Sequence, residues 1–220
     1  MTDAIKTKEL YDCQTPFLRE LFDASEYPWE ILQQLKGYLQ NLIDGGLPGF
    51  TEIADGVWVG EGVRIAPTAT LEGPAVIGAG TEIRPGAYLR GHVIVGENCV
   101  IGNSTELKHC VLLDRTQVPH YNYVGDSVLG NHAHMGAGAI CSNLKADGKS
   151  VVIRGNKDYE TGLRKIGGFL GDGADIGCGC VLNPGTVIGK NTSVYPLTAL
   201  RGVYPADCIV KDSSRVVKRI

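Results

Sequence analysis

Long apolar runs are missing from this chain. No stretch approaches the roughly 18 uninterrupted apolar residues of a membrane-spanning helix, so no transmembrane segment is expected. The opening MTDAIKTKEL lacks the apolar centre of a secretory signal. Charge of one sign is also scarce. A formal net charge of −3 over 220 residues gives no electrostatic case for nucleic acid or anionic membrane as the main partner. Seven cysteines, an odd number at irregular spacing, do not make a disulfide framework, and this points to a reducing compartment, hence the cytoplasm. Cys178-Gly179-Cys180 is too tight for a CxxC pair and has no companion pair elsewhere, so no metal is expected. Glycine, by contrast, is abundant. Its 30 copies ask for a repeat.

Residues 1–50 read as a helical segment. Phe17, Leu18, Leu21 and Phe22 share one helical face, and Trp29, Ile31, Leu32, Leu35, Leu39 and Leu42 continue at helical spacing until Gly45-Gly46. These helices are expected to cap an open end of the segment beyond residue 50. From Val59 the period changes. Every sixth residue is aliphatic: Val59, Ile65, Leu71, Ile77, Ile83, Leu89, Val95, Ile101, Leu107, Leu113. Small or β-branched residues such as Ala69, Thr81, Cys99 and Thr105 come four positions later, and glycine often stands directly after the aliphatic residue. The register falters near Pro119, resumes at Leu129 and Met135, is lost over 142–169, and returns as Leu170, Ile176, Leu182, Ile188, Val194 and Leu200.

A period of six means a short strand and a tight corner, with the aliphatic side chain pointing inward. Three such units close a triangular turn, and stacked turns bury a narrow core. The expected organisation is a β-helix over 51–210 with a loop excursion at 142–169, and a tail at 211–220. A long excursion from a regular solenoid is a candidate functional loop.

The pattern resembles the hexapeptide-repeat acyltransferases. Four stretches carry the likeness in order: Ile83-Arg84-Pro85-Gly86-Ala87, Gly102-Asn103-Ser104-Thr105-Glu106-Leu107-Lys108, His120-Tyr121-Asn122-Tyr123-Val124-Gly125-Asp126, and Met135 to Asn143. They look like the carboxy-terminal acetyltransferase domain of the bifunctional enzymes of UDP-N-acetylglucosamine synthesis. They look closer still to sugar-1-phosphate nucleotidylyltransferases carrying the same coil, which share Asn143 to Lys149 and Gly162 to Gly168. The likeness covers about residues 57–205. It implies a mainly β fold, a left-handed parallel β-helix, and a homotrimer with its sites between subunits. Nothing resembling the family's glycine-rich nucleotidyltransferase domain is present, so nucleotidyl transfer is not expected.

The implied reaction is acetyl transfer from acetyl-CoA to the amine of an amino-sugar phosphate resembling glucosamine 1-phosphate. His120 matches the family's general base, and Asn143 would hold the sugar or orient the base or amine. Tyr123 would hold the sugar. Lys108 matches the phosphate-side lysine, and Lys149 would approach from the excursion. The family's arginine is spelled Arg-Pro-Gly-Ala, which here is Arg84. Arg90, however, lies 18 residues before Lys108, one full turn, and is preferred on that ground. The Gly136-Ala137-Gly138 amides are candidate oxyanion donors, and Cys178 and Pro196 fall where the family lines its pantetheine groove. His134 stands where the family has an asparagine near substrate, which opens two alternatives. One is a different sugar or amine acceptor; the other is a non-catalytic module that binds sugar nucleotide.

Overall fold

The computed structural model describes residues 4–219. The first three residues of the 1–50 segment and the last of the 211–220 segment lie outside the described residues. The chain forms a left-handed parallel β-helix with three helices laid along it. Its strands stack into three parallel sheets, here faces A, B and C, visited in that order on each turn. Face A includes Ala75–Ile77, Val93–Val95, Cys110–Leu112, Gly168–Leu170 and Thr186–Ile188. Face B includes Val100–Asn103, Gln117–His120 and His134–Met135, and face C includes Tyr88–Arg90, Glu106–Lys108 and Tyr123–Gly125.

The inward aliphatic row is the core, from Ile77, Ile83 and Leu89 to Leu200, each almost fully buried. Turns lie so close that a Cβ at Gly102 would fall on the carbonyl group of Pro119 in the next turn. That close approach explains the recurrent glycine after the aliphatic position.

The register differs from the sequence expectation at one edge. Val118 and Val124 are inward and fully buried, so the coil does not falter at Pro119. The inward residue after Leu107 is Leu112 rather than Leu113, which packs in the outer apolar layer instead. One residue is dropped between Leu107 and Leu112, at His109, and another between Val124 and Leu129, at Asp126. A third side, from Leu200 to Tyr204, is shorter still, and all three shortened sides cross from face C to face A. The excursion leaves and rejoins at this same edge, between Cys141 and Leu170. The A–B and B–C edges keep six-residue spacing, so the irregularity of the prism is confined to one edge.

The helices do not cap an end. Helices α1 (Thr7–Leu10), α2 (Pro16–Asp23) and α3 (Pro28–Asp44) lie on face A. Pro28 opens α3 in its first turn, and the Glu30 carboxylate accepts the Tyr27 N–H at 3.2 Å. The helices bury Leu18, Leu21, Trp29, Ile31, Leu35 and Leu39 against an outward apolar row, Val76, Ile94, Val111, Val128, Phe169 and Val187. Those six residues are in parallel register, one per turn. A sheet face this apolar on its outer side must be covered. Tyr11 donates its hydroxyl to the Val128 carbonyl at 3.1 Å, and Asp172 donates its N–H to the Leu10 carbonyl at 3.0 Å, so the cover is pinned to the coil. At the first turn, Val59, Ile65 and Leu71 remain only partly buried. At the other end, Arg215–Lys218 pairs antiparallel with Cys208–Asp212, so part of the segment read as a tail belongs to a hairpin. Within the excursion, Val152–Arg154 and Asp158–Glu160 form a second antiparallel hairpin.

Candidate active site

His120 ends a face-B strand at the B–C edge and is exposed. Its backbone N–H is held by the Asn122 side chain at 3.1 Å, and that buried amide donates in turn to the Gly136 and Ala139 carbonyls at 2.8 and 3.2 Å. The clip fixes the corner while leaving the imidazole without a hydrogen bond among the described residues. The edge repeats regularly. Tyr121 N–H donates to Asn103, Gly138 N–H to His120, Gly179 N–H to Ala137, and Leu197 N–H to Cys178. Asn103, His120, Ala137, Cys178 and Pro196 therefore form one column, with rungs about 4.8 Å apart. His120 and Cys178 are two rungs apart, or about 10 Å.

The three candidate oxyanion donors separate here. Gly136 N–H is taken by the Ile176 carbonyl and Gly138 N–H by that of His120, at 2.7 and 3.0 Å. Only the Ala137 N–H has no acceptor among the described residues. The ladder needs the amides on either side, which leaves one donor next to His120 rather than three.

A second group gathers at the C–A edge, across face C. Asp126 is 5% exposed and sits in the left-handed region at φ 47°. Lys108 Nζ approaches it at 3.3 Å, His109 Nδ1 at 3.0 Å and Asn143 Nδ2 at 2.5 Å. Burial alone would push the Asp126 carboxyl up, but the His109 hydrogen bond, the Lys108 charge and the Asn143 amide together hold it below the usual carboxylate range. Asn143 also donates to the Tyr123 hydroxyl at 3.1 Å. Burial, with the Asp126 and Glu106 carboxylates, raises the Tyr123 phenol, which keeps it a protonated donor at neutral pH. The His92 ring meets His109 edge-on at 6.2 Å. Burial, His109 and the lysines Lys36 and Lys108 lower the His92 pKa, favouring its neutral form.

Arg90 and Lys108 lie on adjacent strands of face C, whereas Arg84 lies at the end of a face-B strand. Arg90 is paired to Glu106 at 2.6 Å and Arg84 to Glu82 at 3.4 Å. His134 is on face B, its Nδ1 2.8 Å from Asp175, and is not brought to Asn143 within one chain. Lys149 is exposed in the excursion, its N–H bonded to Asp147 at 3.0 Å. Among the described residues no group of three or more histidine, cysteine, aspartate or glutamate side chains is placed to hold a metal ion.

Residues 71–157 match the family described as the GMPPB C-terminal domain. The putative uncharacterized acetyltransferase YaiX of Escherichia coli K12 is 33% identical over 171 residues, 74% of this chain and 74% of YaiX. The chain belongs to the hexapeptide-repeat acyltransferases. Bifunctional protein GlmU of Methanococcus maripaludis is 33% identical over 171 residues, 76% of this chain and 42% of that relative. The bifunctional sugar-1-phosphate nucleotidylyltransferase/acetyltransferase of Sulfurisphaera tokodaii is 36% identical over 174 residues, 77% of this chain and 43% of that relative. The chain thus spans less than half the length of these two bifunctional relatives.

Sequence reasoning missed Asp126, His109 and Asn122 in this chain. The signal for the first two was the dropped residue. His92 and His109, then His109 and Asp126, are 17 residues apart, one short of a full turn. Nothing in the sequence marks Asn122 as the clip beneath His120. Among the described residues, face C as a whole presents an unbonded imidazole and an unbonded backbone amide at one edge and a charged, hydrogen-bonded cluster at the other, with Tyr123 between them.

Proposed function

We propose that this chain transfers the acetyl group of acetyl-CoA to the amine of an amino-sugar phosphate resembling glucosamine 1-phosphate. The observation that carries the reading is the unbonded His120 imidazole beside the free Ala137 N–H on one edge of the coil. Attack on a thioester needs a neutral amine. His120 takes the amine proton as the nitrogen attacks the carbonyl carbon, the Ala137 N–H donates to the developing oxyanion, and the carbon–sulfur bond breaks to release CoA as its thiol. Cys178 and Pro196, farther along the same column, line the path of the pantetheine. Tyr123 and Asn143 hold the sugar. Arg90, Lys108 and Lys149 face its phosphate, and Asp126 fixes the position of Lys108 and Asn143. Relatives named as acetyltransferases support the reading.

The working unit is a homotrimer in the cytoplasm. Face A is covered by the helices, while Tyr121 and Leu197 stand 66% and 84% exposed on the B–C edge, so that edge is left for a second copy. In the trimer, His134 and Lys149 act at a neighbouring subunit's site. The cytoplasm is read from the odd number and irregular spacing of the seven cysteines.

The test is to incubate the purified chain with acetyl-CoA and a panel of amino-sugar phosphates while following free thiol. Turnover with glucosamine 1-phosphate is expected. Sugar-nucleotide binding with no thiol release from any amine would favour the non-catalytic module instead.

A further inference from the structure

The helical cover does more than close face A. The inner half of the excursion is buried in the same apolar cluster as the helices, where Val151, Ile153, Tyr159 and Ile166 join Trp29 and Phe169. The contact is most specific at the start of α3. The Tyr159 ring meets the Tyr27 ring at 5.6 Å and 60°, and lies 6.0 Å from the Trp29 indole. One turn after Trp29, the Gln33 side-chain amide donates to the Thr161 carbonyl at 3.0 Å. Two adjacent turns of α3 thus grip the excursion, one through rings and one through a hydrogen bond.

Thr161 is where the excursion closes on itself. Its buried hydroxyl donates to the Val151 carbonyl at 2.5 Å and accepts the Leu163 N–H at 3.3 Å. The Val151 N–H donates to the Leu163 carbonyl at 2.7 Å. From this joint two connections run to residues read as acceptor contacts. The Arg164 guanidinium donates to the Gly148 carbonyl at 2.9 Å, directly before Lys149. Leu144 pairs with Lys165, and the Ile166 N–H donates to the Asn143 carbonyl at 3.0 Å. Asn143 is also tied to the coil through Asp126, whereas Lys149 is exposed and takes its place from the excursion. An exposed lysine must give up conformational freedom to meet a ligand, and a loop held at its base lowers that cost.

We infer that α3 positions the excursion for acceptor binding. Gln33 is a positioning residue acting through Thr161, and Tyr27 and Trp29 act through Tyr159; what Asn143 and Lys149 then do rests on the acetyl-transfer reading. None of the three helical residues touches substrate. Releasing the excursion from α3 frees Lys149 and weakens acceptor binding. His120, Ala137 and Cys178 stand on the B–C edge, fixed by the coil ladder, and keep their geometry. The acceptor KM therefore rises while kcat and the acetyl-CoA KM stay.

The test uses the full chain and four variants. Gln33→Glu keeps the side-chain shape but sets a carboxylate against the Thr161 carbonyl. Tyr159→Leu removes the ring contact. Gln33→Lys keeps a donor, and Gln40→Glu makes the same charge change near the other end of α3. Gln33 is exposed, so its variants leave the apolar cluster intact. Hydrogen exchange read by mass spectrometry compares residues 142–169 with the coil, and steady-state kinetics use acetyl-CoA and glucosamine 1-phosphate. In Gln33→Glu and Tyr159→Leu, exchange over 142–169 should quicken about fivefold or more while the coil keeps its wild-type rates. The acceptor KM should rise by about the same factor, with kcat and the acetyl-CoA KM near wild type. Gln33→Lys and Gln40→Glu should match wild type in both readouts. Unchanged exchange over 142–169 in Gln33→Glu, faster exchange throughout the coil, or the two KM values rising together overturns the inference. Absence of acetyl transfer in wild type would defeat the functional reading instead, and the exchange result alone then decides whether α3 positions the excursion.

Discussion

Asp126→Asn removes one negative charge and keeps the side-chain shape. Asparagine also tolerates the left-handed backbone at φ 47°. The carboxylate is 5% exposed and accepts from Lys108, His109 and Asn143 at 3.3, 3.0 and 2.5 Å. A hydrogen bond to a charged group contributes about 1.5–3 kcal/mol. The new amide turns one acceptor into a donor and sets it against three existing donors. Removing one member of a buried ionic cluster costs about 3–5 kcal/mol when its partners stay buried. Lys108 and His109 each keep about a quarter of their side-chain exposure and can rehydrate, so the loss should be nearer 3 kcal/mol. Asp126→Ala should lose about 1 kcal/mol more, because alanine disfavours a positive φ. Urea unfolding followed by circular dichroism at several pH values measures this. The folded carboxyl lies below its ordinary value, so its stabilisation is complete above the unfolded pKa and disappears as pH falls through the lower folded one. The gap between wild type and Asp126→Asn should be widest near neutral pH and close in acid. A gap under about 0.5 kcal/mol at neutral pH, or one that widens as the solution is acidified, would refute the reasoning.

Two more outcomes are set by the placement of side chains. Phe169 is fully buried between face A and Trp29, its ring 6.5 Å from the indole, so Phe169→Ala should destabilise the chain by about 3–5 kcal/mol in urea unfolding. A loss below about 1 kcal/mol would mean that the helical cover is not packed as described. In steady-state kinetics, Arg90→Ala should raise KM for the sugar phosphate by about tenfold, while Arg84→Ala, on face B, should leave it near wild type. The reverse ranking would move the phosphate off face C.

The coil was legible because its inward positions obey one simple rule. Val59 to Leu107 keep a strict period of six, and every residue of that row is aliphatic. The covered face was legible in principle as well. Ala75-Val76-Ile77, Val93-Ile94-Val95 and Cys110-Val111-Leu112 are apolar at all three strand positions, which marks a strand buried on both sides. Attention to the inward row alone hid this and placed the helices at an end. The C–A edge was unreadable for a different reason. A one-residue deletion at His109 and again at Asp126 looks like noise in a periodic pattern, yet it brings Lys108, His109, Asp126 and Asn143 together. His120 and Ala137 were found by resemblance. That the ladder consumes the neighbouring Gly136 and Gly138 amides is a property of stacked backbones, and no side-chain pattern reports it.

The kcat/KM for acetyl transfer to glucosamine 1-phosphate, compared between wild type and His120→Ala, tests the central claim most directly. The account predicts that His120→Ala loses about a hundredfold or more in rate while its thermal melt is unchanged. Full turnover in His120→Ala would contradict it.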